Sequence, residues 1–286
     1  MDHQIRIVRI DVDDVIHHDK TKYNTNNHWI DEKRPDDYDQ KVNQGNTSNW
    51  INSFHDSYHT ITLDSQDLTW MKKAFKVGRM TGEFSKLYQD ELDDLLLKYS
   101  DVPFFDGTKY FVRTEYVSLK YGMHGAGPYT NLKEIIESMV SSIEGHTAFK
   151  DEDISCTIFL MKWLDDLDPL KEFRIFVKDN KITALSQQNL YVDNTWLKDK
   201  TDNDIRRLVY QIINHFNVHI KGHFIHVRDY VMDLAIVNDE PYFIEINSFG
   251  KEYASGSSLF HWINDYDQLY GNNKEIQIRI AIKSTP

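Results

Sequence analysis

The sequence predicts an α+β protein whose sheets are largely antiparallel. Apolar residues recur at the spacing of amphipathic helices over residues 84–96, 132–143 and 205–216. Other segments alternate like strands or form short apolar runs, at 5–10, 109–116, 157–164, 172–177, 181–187, 230–237 and 242–246. Several of these strands follow one another through short turns instead of alternating singly with helices. This order favours hairpins over a doubly wound parallel sheet.

Local signals support the individual elements. Asn131 and Glu134 resemble a capping box at the start of the second helix, and Gly145 is a stop signal. Residues 201–204 open the third helix. Asp179-Asn180 predicts a hairpin turn, and residues 238–241 predict another. Residues 11–49 are rich in Asp, Asn and His, which is typical of a loop-rich segment.

Composition narrows the classes of function. The chain has 286 residues, 40% of them apolar, and a formal net charge of −12, so nucleic acid is not expected as the main partner. Cys156 is the only cysteine, which excludes an internal disulfide and a thiolate zinc site. The first residues lack the pattern of a signal peptide, and no apolar run reaches the roughly 20 residues that span a bilayer. We therefore expect a cytoplasmic protein without a membrane segment, and a monomer.

The second predicted hairpin carries a group of hard oxygen ligands. If its loop has three residues, Val237 faces Pro241 and Asp233 lies directly opposite Glu245; with a different loop length the two carboxylates are diagonal neighbours. Asn247 points from the same face as Glu245. Two carboxylates ~5 Å apart repel by roughly 3 kcal/mol at an effective dielectric constant near 20.

Something must offset this repulsion, and the residues leave three alternatives. A shared proton, a Lys or Arg side chain, or a divalent cation would each suffice. Two carboxylates and one amide suit Mg²⁺ with phosphate oxygens completing its shell. A salt-bridged surface hairpin is the structural alternative.

Five blocks of the chain, in order, carry a distinctive pattern of residues. The first includes Trp50, Phe54 and residues 60–61, and the second is Phe-Val-Arg at 111–113 with Ser118 and Lys120. The central block is Leu-Met-Lys-Trp at 160–163, Glu-Phe-Arg-Ile-Phe-Val at 172–177 and Ala-Leu-Ser-Gln at 184–187. The ribbon block is Val-Met-Asp at 231–233 with Ile-Glu-Ile-Asn-Ser-Phe-Gly at 244–250, and the tail block is Ser-Leu-Phe-His-Trp at 258–262. In their order and spacing these five blocks resemble the cell division cycle 123 family of ATP-grasp proteins.

The resemblance implies an ATP-grasp fold of two α+β lobes with ATP in the cleft between them. It places a loop-rich N-terminal segment at 1–48, the N-terminal lobe at 49–160 and the C-terminal lobe with the metal ribbon at 161–286. It also implies that Asp233, Glu245 and Asn247 hold Mg²⁺ against the phosphates of ATP.

The resemblance assigns further contacts with ATP. Lys162 and Arg174 would contact phosphate oxygens and act as the catalytic cations. The backbone at Trp163 would lie along the edge of the adenine ring. Arg113 would take the place of a lysine that binds phosphate. Ser118 and Lys120 would also bind the cofactor. Arg174 could instead pair with Glu172 or an aspartate.

The chain departs from the family pattern at several positions. Arg113 replaces Lys, Met161 replaces Arg, Glu245 replaces Asp and Ser248 replaces Pro. Arginine changes the geometry of a phosphate contact because it presents a planar fork instead of a point charge. These departures indicate a divergent member.

Two functions are consistent with this resemblance. The first is the family's role in assembling eukaryotic translation initiation factor 2 through its γ subunit. The second is ATP-dependent ligation of a carboxylate to an amine through an acyl phosphate.

Two weaker features complete the sequence. Gly122, Gly125 and Gly127 with His124 form either a lid over the phosphates or an ordinary turn. His215, His219 and His223, with His226 nearby, are more typical of a solvent-facing stripe than of a metal site.

Overall fold

A computed structural model gives the structure of the protein and describes residues 4–25, 34–103, 105–224, 226–253 and 255–284. The strands are β1 Ile5–Asp11, β2 Tyr58–Leu63, β3 Tyr110–Arg113, β4 Cys156–Lys162, β5 Glu172–Lys178, β6 Lys181–Gln187, β7 Tyr230–Val237, β8 Glu240–Ser248 and β9 Ile276–Ile282. The helices are α1 Val12–His17, α2 Tyr38–Asn43, α3 Ile51–Phe54, α4 Ser65–Thr81, α5 Gln89–Lys98, α6 Leu132–Ser141, α7 Thr195–Lys198, α8 Asp202–His215 and α9 Tyr266–Leu269.

The chain divides into two compact units. The first contains Met1–Gly45 and Asp166–Pro286, and the second contains Asn46–Asp165. The first 45 residues, predicted to be part of a separate N-terminal segment, thus belong to the same unit as the C-terminal part of the chain.

The first unit is built on a six-stranded sheet in the order β1-β9-β6-β5-β7-β8. Strand β5 pairs antiparallel with β6 and β7, and β7 pairs antiparallel with β8. Strand β9 runs parallel to β1 and β6. The predicted α+β class with largely antiparallel sheets is confirmed.

An aromatic cluster covers one face of this sheet. Phe176 contacts Phe260 and Trp262 with ring centroids 5.4 Å apart in each case, and Phe249 lies 5.0 Å from Trp262. Phe176 faces Val231 across β5 and β7, two residues from the pair Arg174 and Asp233. Residues two apart on a strand share a face, so the aromatic cluster borders the candidate site.

The second unit contains a three-stranded antiparallel sheet in the order β2-β4-β3. Helix α4 packs closely on α6, where a Cβ atom added at Gly78 would lie 2.1 Å from the carbonyl oxygen of Val140. The buried stripe of α4 consists of Asp67, Leu68, Met71, Ala74 and Gly78. Helical hydrophobic periodicity is weak here because small residues and an aspartate occupy much of the stripe.

All the predicted strands and helices are present, but some of their ends differ from the prediction and some further elements are added. Helix α6 ends at Ser141, before the predicted stop at Gly145. Residues 11–49 contain α1 and α2, and Asp11 caps α1 by accepting a hydrogen bond from the amide of Asp13. Strands β2 and β9 and helix α4 were not predicted, although Ile276, Ile278, Ile280 and Ile282 of β9 alternate clearly.

Candidate metal site on the β7–β8 ribbon

The ribbon of β7 and β8 places Asp233 directly opposite Glu245. The sequence allowed this pairing, but through a three-residue loop. The turn has only two residues, Asn238 and Asp239, with φ values of 50° and 63° that are typical of a type I′ turn. Val237 therefore faces Glu240 instead of Pro241.

A β-bulge next to Asp233 restores the pairing of the carboxylates. Leu234 faces Phe243 and Asp233 faces Glu245, so Ile244 is the extra residue on β8. Without the bulge, the register set by the turn would place Ile244 opposite Asp233. The bulge thus decides that a carboxylate faces Asp233, which fits the tendency of bulges to redirect side chains at functional sites.

Arg174 neutralises Asp233 across the neighbouring strand pair. Its Nε donates to Oδ1 of Asp233 at 2.9 Å and its Nη2 donates to Oδ2 at 2.7 Å, which makes a two-pronged ion pair. Its Nη1 donates to the carbonyl oxygen of Gly256 at 2.8 Å. The side chains of Arg174 and Asp233 are only 11% and 5% exposed. An arginine is therefore one of the groups that offsets the charge of Asp233.

Glu245 and Asn247 form the other half of the candidate site. The side-chain nitrogen of Asn247 donates to Oε1 of Glu245 at 3.2 Å, and both residues are partly buried. Their alternation on β8 places them on the face that carries Asp233.

The donor chemistry of this face fits Mg²⁺. Each carboxylate oxygen has two lone pairs, so the fork of Arg174 does not use up the acceptor capacity of Asp233. Glu245 and the amide oxygen of Asn247 add hard ligands of the type that Mg²⁺ prefers. Among the described residues no group of three or more His, Cys, Asp and Glu could hold a metal ion, so any site here depends on the amide of Asn247.

Two polar residues near Asp233 were not predicted. The side-chain nitrogen of Gln188 lies 3.5 Å from Oδ2 of Asp233, and the hydroxyl of Ser258 donates to Oε1 of Gln188 at 2.9 Å. Gln188 directly follows the Ser-Gln pair of the central block, and Ser258 begins the tail block. Their positions beside the central and tail blocks were the sequence signal that could have identified these two residues.

The remaining predicted cofactor residues lie in the second unit. Lys162 is the exposed last residue of β4, and the amide of Trp163 donates to the carbonyl oxygen of Lys109 at 2.9 Å. Ser118 forms a bridge with Arg113, and Lys120 is exposed with its Nζ 5.5 Å from the ring centroid of Tyr121. Their contacts with a nucleotide remain predictions.

Arg113 is more buried than a simple phosphate-binding arginine would be. It is 2% exposed, its Nε donates to the hydroxyl of Thr47 at 3.0 Å, and its guanidinium lies 4.9 Å from the ring of Trp50. Burial between these groups gives Arg113 a packing role in the second unit.

His55, next to Arg113 and Trp50, makes the stability of the second unit sensitive to acid. Burial, followed by the charge of Arg113, lowers the pKa of His55 from 6.5 to about 4. A depressed pKa means that its contribution to stability is present above pH 6.5 and is lost as the pH falls toward 4. We expect the free energy of unfolding to fall by about 2 kcal/mol between pH 7 and pH 5 because of this group.

Urea denaturation at a series of pH values would measure this effect, with His55→Gln as the control. The variant should lose stability less steeply between pH 7 and pH 5. Equal slopes in the two proteins would show that His55 is not responsible.

The glycine-rich loop is held against α6. The ring of His124 lies 2.7 Å from Glu137, the amide of Met123 donates to Ser141, and a Cβ atom at Gly122 would lie 2.4 Å from the carbonyl oxygen of Ser138. Gly122 is therefore needed for close packing, and whether the loop acts as a lid stays a prediction.

The histidine stripe faces mainly solvent. His219, His223 and His226 are exposed, and the rings of His215 and His219 lie 4.9 Å apart. Burial, followed by the charge of His219, lowers the pKa of His215. The described histidines contribute to no three-residue metal group.

Comparison with known proteins places the chain in a family. The D123 family model matches residues 130–285, more than half of the chain. The translation initiation factor eIF2 assembly protein of Candida albicans is 28% identical over 132 residues, which are 46% of this chain and 36% of that protein. The protein of the same name from Dictyostelium discoideum is 27% identical over 114 residues, which are 40% of this chain and 28% of that protein.

Solved structures show the same fold. Cdc123 from Schizosaccharomyces pombe has a TM-score of 0.59 at 17% identity, covering 86% of this chain and 98% of that one. Its C-terminally truncated form has a TM-score of 0.61 at 20% identity with the same coverage. The fold and the carboxylate ribbon therefore define an α+β protein with the fold of Cdc123.

The chain belongs to the D123 family. This confirms the resemblance found in the sequence. The matches to the two eIF2 assembly proteins span only 36% and 28% of those proteins' lengths. No helix in the described residues is both long and apolar enough to cross a membrane.

Proposed function

We propose that this chain binds ATP and Mg²⁺ and assists the assembly of translation initiation factor eIF2 by contacting its γ subunit. The observation that carries the role is membership of the D123 family, whose matched relatives are named eIF2 assembly proteins. The observation that carries the cofactors is the pairing of Asp233 with Glu245 beside Asn247.

The ribbon residues have separable tasks in this proposal. Asp233, Glu245 and Asn247 hold Mg²⁺, which when bound neutralises phosphate charge. Arg174 fixes the orientation of the Asp233 carboxylate through its two hydrogen bonds, which limits the reorganisation needed on binding. Lys162, Arg113, Ser118 and Lys120 remain proposed contacts to the nucleotide, with Trp163 at the adenine.

A bulged, buried ribbon favours a functional site over a merely salt-bridged surface hairpin. Asp233 is 3% exposed, whereas surface ion pairs are worth little and need no burial. A second carboxylate placed opposite a buried one lowers the stability of the fold. Carboxylate pairs that carry such a cost are typical of functional sites. Cytoplasmic location and a monomeric state follow as expectations of the same role.

A pull-down with purified eIF2 γ subunit from Candida albicans would test the role. We expect the chain to retain the γ subunit more strongly with Mg-ATP than without nucleotide. The variant Glu245→Gln should lose the effect of ATP, because it replaces a charged metal ligand with a neutral amide of the same size. No retention of the γ subunit under any nucleotide condition would contradict the assembly role. ADP release stimulated by added amines or carboxylates would favour the ligase function instead.

A further inference from the structure

The N-terminal part of the first unit pairs with the loop of residues 255–258. The amide of Asn24 donates to the carbonyl oxygen of Ser258 at 2.7 Å, and the amide of Ser257 donates to the carbonyl oxygen of Thr25 at 2.9 Å. The hydroxyls of Thr25 and Ser257 lie 2.9 Å apart, and both residues are buried. Backbone and side-chain contacts therefore hold this loop to residues that are more than 200 positions away in sequence.

The hydroxyl of Thr25 also supplies a hydrogen-bond acceptor to the tail block. The amide of Trp262 donates to this hydroxyl at 2.9 Å, and Trp262 is buried. A buried amide needs a partner, because leaving it unpaired costs as much as a lost hydrogen bond. Thr25 thus fixes the loop and the residues that follow it at the same time.

The same loop contacts the charged residues of the candidate metal site. The carbonyl oxygen of Gly256 accepts from Nη1 of Arg174 at 2.8 Å, while the other two hydrogen bonds of this guanidinium go to Asp233. The hydroxyl of Ser258 donates to Gln188, whose side-chain nitrogen lies 3.5 Å from Asp233. The position of the loop therefore bears on the orientation of both partners of the buried ion pair.

Packing around the loop leaves little freedom for it to move. A Cβ atom at Gly256 would lie 3.0 Å from Oδ1 of Asn24 and 3.6 Å from Nη1 of Arg174, so both side chains approach the same glycine. Ser258 has a φ of 47°, which is uncommon for a residue other than glycine. Such a conformation persists where surrounding contacts impose it. The hydrogen bonds of Ser258 to Asn24 and Gln188 are contacts of this kind.

We propose that Thr25 is a positioning residue of the candidate metal site, acting through the loop of residues 255–258 on Arg174 and Asp233. Groups that orient metal ligands change metal affinity without touching the metal. Thr25 lies outside residues 130–285, which the D123 family model matches, so the site uses a residue beyond that match. The effect on ATP rests on the proposed function, whereas the effect on Arg174 does not.

The variant Thr25→Val tests the proposal, because it removes the hydroxyl and keeps the branched shape of the side chain. Nitrogen-15 NMR of the arginine Nε–H groups, with the Arg174 signal assigned from its loss in Arg174→Lys, reports on the ion pair without nucleotide. We expect the Arg174 signal to shift and to exchange faster with solvent. Mg-dependent ATP affinity, measured by calorimetric titration, should fall about tenfold.

Two further variants separate positioning from a general loss of stability. Thr25→Ser keeps the hydroxyl and should restore both the Arg174 signal and the ATP affinity. Thr183→Val removes another buried hydroxyl of the first unit, one that donates to the carbonyl oxygen of Leu269 at 2.8 Å. It should lower the urea midpoint as Thr25→Val does and leave the Arg174 signal unchanged.

Three results would overturn the positioning role. They are an unchanged Arg174 signal in Thr25→Val, an equal shift of that signal in Thr183→Val, and failure of Thr25→Ser to restore it. Failure of the proposed function looks different. If the wild type binds no ATP while Thr25→Val alone still shifts the Arg174 signal, the ATP proposal is wrong and the positioning role of Thr25 is supported.

Discussion

Replacing Asp233 by alanine is expected to lower the free energy of unfolding by about 3–5 kcal/mol. The change leaves the guanidinium of Arg174 buried without the carboxylate that accepts two of its hydrogen bonds, at 2.9 and 2.7 Å. Removing one partner of a buried ion pair costs far more than the pair contributes. Urea denaturation would measure the loss, and hydrogen exchange of the β5 and β7 amides would assign it to the first unit.

The double variant Arg174→Met with Asp233→Leu is the matched control. It removes both charges and keeps apolar volume on the same strands, so its stability should lie much nearer that of the wild type. If Asp233→Ala alone lies within about 1 kcal/mol of the wild type, water or another acceptor must satisfy the N–H groups of Arg174 in the variant.

This result would also change how the first predicted metal ligand can be studied. A loss of ATP binding in Asp233→Ala would report on unfolding as much as on Mg²⁺. The sequence could not reveal this, because it left a shared proton, a Lys or Arg side chain and a divalent cation as alternatives that would each offset the repulsion. Only the register of β5 against β7, which places Arg174 opposite Asp233, distinguishes the structural role of the aspartate.

The parts of the fold that the sequence predicted are those with strong local signals. Strands β5, β6 and β7 and helix α8 have clear hydrophobic patterns and turn or capping residues at their ends. Helix α4 was missed because Ala74 and Gly78 occupy positions that larger apolar residues fill in a typical helix. Its close approach to Val140 explains the small residues, and that contact is far away in sequence.

Two compensating details of the ribbon bring Asp233 opposite Glu245. The sequence tied this pairing to a three-residue loop and a diagonal arrangement to a different loop length, yet the two-residue turn still pairs the carboxylates because it is combined with a bulge at Ile244. A bulge has no reliable signature in a single sequence, because it depends on how neighbouring strands pair. The family resemblance supplied the residue identities, whereas the hydrogen bonds of Gln188 and Ser258 required coordinates.

The more decisive test of metal binding is the substitution Glu245→Gln. Glutamine keeps the size of the side chain and an oxygen that can accept from Asn247, and it leaves the pair of Arg174 and Asp233 intact. Without Mg²⁺ the variant should be at least as stable as the wild type, because a negative charge opposite Asp233 has been removed. With Mg²⁺, calorimetric titration should show ATP affinity reduced at least about tenfold, or 1.4 kcal/mol.

Glu240→Gln is the control for this experiment. Glu240 lies exposed at the other end of β8, so the same chemical change there should leave both stability and Mg-dependent ATP affinity unaltered. Equal ATP affinity in Glu245→Gln and the wild type would show that the ribbon does not hold the metal. A folded wild-type protein that binds no ATP at all would contradict the ATP proposal, whereas the stability predicted for Asp233→Ala would be unaffected. The two substitutions therefore separate the ribbon's structural ion pair from its proposed metal chemistry.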